Sequence, residues 1–130
     1  PEGVFLEDSV ARAVTAQIID ELFQQYGVSE KGLEALNVLD AEGVKQALQQ
    51  FIANNIYTRL VQVISNGAES KSTDHLIWVE NQVKDYIFPT VRLDLMNRTD
   101  VLTIDWGGKE GRDFIERIYQ EGYELIENIL

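Results

Sequence analysis

The 130-residue chain contains no cysteine. That excludes a disulfide framework and a thiolate metal site, and it suits a reducing compartment. The expectation is a cytoplasmic protein. Proline is scarce, with two residues, so long segments are free to be helical. No apolar run approaches the ~20 residues that span a bilayer. No signal-peptide pattern is visible, and an initiator Met is missing before Pro1, which reads as a fragment of a longer protein. Histidine occurs once, at His75. A single His without Cys anchors no zinc site unless carboxylates complete it.

Bases are also in short supply. There are 11 Lys and Arg against 22 Asp and Glu, a net charge of −11. Residues 1–42 hold nine acids and two bases, 43–99 five and six, and 100–130 eight and three. The ends are acidic and the middle is close to neutral. Nucleic acid requires a basic footprint, so that class of partner is disfavoured. The acidic ends read first as solvated helix faces that keep the protein soluble, and second as a face for a basic partner.

What is present is helical periodicity. Val10, Val14, Ile18 and Leu22 form an i, i+4 stripe, begun by Asp8 or Ser9 as N-cap and stopped near Gly27. Residues 28–39 read as a connector. Asp40 is placed to cap a second helix, central and about 25 residues long, whose wide stripe runs from Val44 to Ile64. Asn66-Gly67 should end it. Asn55 falls inside the stripe and is expected to be a core amide satisfied by a neighbour. Ser72 or Thr73 caps a third helix with a stripe through Val79, Val83, Ile87 and Val91. Pro89 lies within that stripe and predicts a kink or a break. Val101, Leu102, Ile104 and Trp106 are too apolar for a free loop and should cover one end of the core.

The last helix starts around Gly107–Lys109. Gly111, Ile115, Ile118, Gly122, Leu125 and Ile129 recur at intervals of four and three, a helical seam. Each interior glycine costs about 1 kcal/mol relative to alanine. Two in one seam predict another backbone or a large side chain pressed against it. The fold class expected is all-α: one domain over 1–130, an antiparallel bundle of about four helices, the third kinked or broken near Pro89.

Chemistry-bearing patterns are weak. His75 is expected to be exposed, and no nucleophile elbow accompanies it. Gly107-Gly108-Lys109-Glu110-Gly111 lacks both the spacing of a phosphate-binding loop and a preceding strand. There is no Glu-x-x-His, which a carboxylate di-metal bundle site needs. The acids of the last helix lie off its seam, and i, i+4 pairs are expected at Asp113–Arg117, Glu80–Lys84 and Asp94–Arg98. Arg59 and Arg92 lie near the stripes, able to pair or to snorkel. No catalytic, cofactor or metal residue is predicted. Tyr57, Tyr119, Tyr123 and Trp106 are candidate partner contacts, because such side chains join a large apolar body to a polar tip.

Three stretches carry a family resemblance. They are Phe51 to Leu60 (FIANNIYTRL), Val83 to Ile87 (VKDYI) and Ile118 to Glu127 (IYQEGYELIE). Over about residues 41–130 the chain resembles the C-terminal region of QatB, a component of bacterial Qat antiphage operons. The resemblance implies the helical C-terminal domain of a longer protein. It implies a non-enzymatic component that docks to a partner enzyme, the QueC-like enzyme of the same operon. It supplies no catalytic residues. The first functional expectation is therefore a protein–protein interaction domain. The alternatives are a small-molecule or metal-dependent enzyme with its site inside the bundle, or a self-association module that makes homo-oligomers.

Overall fold

The computed structural model describes residues 41–101, 103–106 and 108–130. The expected first helix, the connector after it, the Asp40 cap and Leu102 lie outside the described residues. Within them the chain is helical and contains no strand. Three helices follow one another: α1 (Ala41–Asn66), α2 (Thr73–Met96) and α3 (Lys109–Ile129).

Each boundary has a local cause. α1 ends where Gly67 N–H bonds back to the Val63 and Ile64 carbonyls at 3.2 and 3.1 Å. A Cβ on Gly67 would meet the Leu130 side chain at 2.7 Å. The left-handed residue of the connection is Ser70, at φ 66°, inside a turn closed by Lys71 N–H to Ala68 O at 3.0 Å. Ser72 then caps α2 in an extended conformation, its hydroxyl accepting from His75 N–H at 3.1 Å. That satisfies one of the four amides a helix start leaves open. α2 runs unbroken to Met96 with Pro89 inside it. Of the kink or break expected at Pro89, the break does not occur. Pro89 removes the bond to the Asp85 carbonyl, but Asp85 is on the exposed side of the helix, where water can replace it.

The chain divides into two compact units. One comprises Gln50–Asn97 with Asp113–Leu130. Its core is a stack of aliphatic side chains: Ile52, Ile56, Leu60 and Ile64 from α1; Val79, Val83, Ile87, Val91 and Leu95 from α2; Ile115, Ile118 and Ile126 from α3. Each such side chain, fully buried, contributes roughly 1.5–3 kcal/mol. Contacts set the directions. His75, Tyr86 and Asp94 of α2 meet Leu130, Glu121 and Arg117 in turn, so α2 and α3 are antiparallel. Arg59 meets Glu116 while Gly67 adjoins Leu130, so α1 and α3 are parallel. All three helices converge at Gly122, where a Cβ would meet Leu60 Cδ1 at 2.5 Å and Ile87 Cδ1 at 3.1 Å.

The seam of α3 departs from its expected course past this point. Ile126 is buried, whereas Leu125 and Ile129 are only half-buried. The buried line steps by four from Ile118 to Gly122 to Ile126, as α2's stripe does along its whole length.

Among the described residues the other unit holds 41–49 and Arg98–Arg112. Val101, Ile104 and Trp106 belong to it and are buried, as the apolar character of their segment predicted. The indole N–H of Trp106 donates to Val101 O at 2.9 Å. Gly111 is where backbone meets backbone: a Cβ there would collide with Cα and the carbonyl of Trp106. Arg98 ties the start of the segment to its end, bonding Asp100 at 3.0 Å and Glu110 at 3.1 Å.

Candidate functional site

The four aromatic residues singled out in the sequence go to different places. Tyr119 and Tyr123 share one side of α3, one turn apart, with ring centroids 6.4 Å from each other. Tyr123 is 36% exposed, and Tyr119 is half-buried. The Arg59 guanidinium lies 4.1 Å from the Tyr119 ring centre, and its Nη1 donates to Glu116 Oε1 at 2.9 Å. Of the two behaviours expected of Arg59, the structure shows the ion pair. It also holds the Tyr119 ring against α1, because a guanidinium is attracted to an aromatic face.

Tyr57 belongs to a different seam. Its ring meets Phe88 of α2 edge-on at 6.1 Å, and burial, with the Glu80 charge second, pushes its hydroxyl pKa up. Trp106 is 1% exposed and its polar atom is already bonded to Val101. It is an interior side chain here and offers no surface to a partner. The tyrosine pair of α3 is thus the only part of the predicted set that the fold brings together.

Several polar residues differ from expectation. His75 is half-buried rather than exposed. Its ring stacks on Trp78 at 5.6 Å, and Nε2 lies 3.1 Å from the Leu130 oxygen, where a ring N–H donates. Asn55 differs from the satisfied amide expected: its Oδ1 is buried with no hydrogen-bond partner among the described residues. Arg117 pairs with Asp94 at 2.7 Å and Glu121 at 3.3 Å, not with Asp113. Arg98 pairs with Asp100 and Glu110, not with Asp94. Arg117 keeps an i, i+4 pair, but with Glu121 after it rather than Asp113 before it, and adds Asp94 from α2. A local pair is worth only a few tenths of a kcal/mol, so small differences in geometry decide which acid is held.

The α2–α3 seam carries a polar network. Tyr86 donates to Glu121 Oε2 at 2.5 Å, Arg117 bonds the other Glu121 oxygen, and Arg117 also reaches Asp94. The Glu121 hydrogen bond pushes the Tyr86 hydroxyl up to about 12, with burial and the Glu121 charge adding to it. Asp94 and then Glu121 likewise hold Arg117 above its ordinary value.

No metal-holding group of three or more His, Cys, Asp or Glu occurs among the described residues. At the start of α3 the space beside Gly108 is filled by the Asp105 carboxylate, which a Cβ would strike. A carboxylate suits the positive end of the helix dipole, and it sets a negative charge where a phosphate cradle would need an opening. No helix among the described residues is long and apolar enough to cross a membrane.

The sequence reading missed Ile77, Trp78, Leu93 and Met96, all exposed on α2. The available signal was their position on the side of α2 away from the Val79–Leu95 stripe.

The family model described as Qat anti-phage system associated protein QatB matches residues 1–126. The chain belongs to the QatB family. The match covers nearly the whole chain, extending to residue 1 beyond the stretch from about 41 that carries the resemblance. No curated protein and no solved structure matches it. Membership makes this QatB-family chain an anti-phage defence component, in a system whose other members are its natural associates.

Proposed function

We infer that this QatB-family chain acts by protein–protein contact, as a non-catalytic cytoplasmic component that docks to an enzyme of its own defence system. The QueC-like enzyme is the first candidate. The observation that carries the reading is the tyrosine pair of α3. Tyr123 stands exposed beside Tyr119, and Tyr119 is held in place by Arg59. A ring fixed before binding loses little conformational freedom on contact, and Tyr is enriched among the residues that dominate interfaces. Glu116, Glu124 and Gln120 are exposed around the pair and would form a polar rim.

The test is co-purification of the tagged chain with the other components of its system, using Tyr119→Asp and Tyr123→Asp together. Circular dichroism and thermal melting serve as controls for folding. The expected result is loss of the partner enzyme from the eluate and loss of plaque reduction by the complete system. Undiminished recovery of every component by the folded double variant would overturn the α3 surface.

A further inference from the structure

The buried stripe of α2 leaves the opposite side of the helix facing solvent, where polar side chains are the rule. That side nevertheless carries Trp78, 46% exposed, and Met96, 66% exposed. The two are eighteen residues apart, which is five turns at 3.6 residues per turn. They therefore stand on one line about 27 Å long. Asp85, Pro89 and Arg92 lie between them on the same side, with Leu93 at its margin. Asp85 and Arg92 are exposed. Neither forms an ion pair among the described residues.

The order of these residues is self-complementary. With two copies of α2 laid antiparallel and Trp78 opposite Met96 of the second copy, the arrangement repeats at the other end by symmetry. The two-fold axis passes between Asp85 and Pro89. Arg92 of each copy then falls within one turn of Asp85 of the other, which gives two opposite-charge pairs. Each thioether meets an indole, a favourable contact. A two-fold interface requires one patch to complement itself. We propose that the outward side of α2 is a homodimer interface, occupied by a second copy of this chain in antiparallel orientation. It is separate from the tyrosine surface of α3, so either can fail without the other.

Sedimentation velocity over a concentration series of the whole chain tests the interface. The unaltered chain is expected to pass from monomer to dimer as concentration rises. Trp78→Ser with Met96→Ser should leave a monomer throughout. Asp85→Arg alone and Arg92→Asp alone each place like charges together twice and should weaken the dimer about tenfold or more. Asp85→Arg with Arg92→Asp in one chain restores both pairs and should return the dimer to within about threefold of the original. These side chains are exposed, so circular dichroism should be unchanged in all variants. A chain that stays monomeric at every concentration overturns the proposal. So does a dimer that the Trp78/Met96 variant leaves intact, or one that the combined charge exchange fails to restore.

Discussion

Gly122 of α3 sits directly beneath Leu60 of α1, so close that a Cβ on the glycine would lie 2.5 Å from Leu60 Cδ1. The other seam glycine, Gly111, faces the backbone of Trp106 instead. The two should respond differently to alanine. A terminal methyl can rotate away, whereas a peptide unit held by the Trp106 anchor cannot. Gly111→Ala is expected to destabilise by about 2 kcal/mol, within the usual overpacking range. Gly122→Ala should cost less than half of that, because a helix gains about 1 kcal/mol from the change. Chemical denaturation of both variants checks the order, and equal losses would show that the Leu60 side chain is as fixed as backbone.

Tyr86 and Glu121 make the stability depend on pH. The Tyr86 hydroxyl is raised from 10.0 to about 12 by its bond to Glu121. A group whose folded value is raised stabilises fully below its unfolded value and loses that contribution as pH rises through the folded one. The contribution should be constant up to about pH 10 and gone near pH 12. Tyr86→Phe should cost about 0.5–1.5 kcal/mol at neutral pH, the range for one net hydrogen bond in a partly solvated site. It should also flatten the alkaline limb of stability between those pH values. Urea titrations of both proteins from pH 8 to 12 would decide it, and parallel curves would contradict the assignment.

The two serines before α2 have opposite expected effects. Ser70 occupies the left-handed region at φ 66°, which costs a residue with a Cβ about 1–2 kcal/mol and glycine nothing. Ser70→Gly should stabilise by about 0.5–1 kcal/mol after the greater freedom of glycine in the unfolded chain is subtracted. Ser72→Ala removes the N-cap bond to His75 and should destabilise by about 1 kcal/mol. Ser72→Asp keeps an acceptor and should be close to neutral. Melting temperatures that move the same way for Ser70→Gly and Ser72→Ala would contradict the turn geometry.

Asn55 is the one polar side-chain atom found buried without a partner among the described residues. A buried carbonyl oxygen that makes no hydrogen bond costs about 1–3 kcal/mol. Asn55→Leu, similar in size, should therefore raise stability by about 1 kcal/mol in the isolated chain. Equilibrium unfolding measures this directly. A loss of stability would mean that the amide is bonded in solution.

The stripes of the three described helices were legible because periodicity is a local property of the sequence. Val79, Val83, Ile87 and Val91 could be placed in the core from their spacing, and Ser72 from the capping preference of its hydroxyl. Directions and polar partners were not legible. Arg117 has Asp113 four residues before it and Glu121 four after, and only the approach of Asp94 on α2 decides which acids it holds. Pro89 read as a breaker because its local cost is large, yet packing of the residues on both sides keeps α2 in one piece.

The candidate surface shows the same division. That tyrosines four apart share a side of α3 follows from the sequence, as does the all-helical class, the acidity and the family. Only the tertiary structure exposes Tyr123, pins Tyr119 under Arg59, buries Trp106 and leaves Trp78 and Met96 bare on α2. The physical reason is range. Helix propensity and periodicity act over a few residues, while exposure depends on which distant helix covers a side chain.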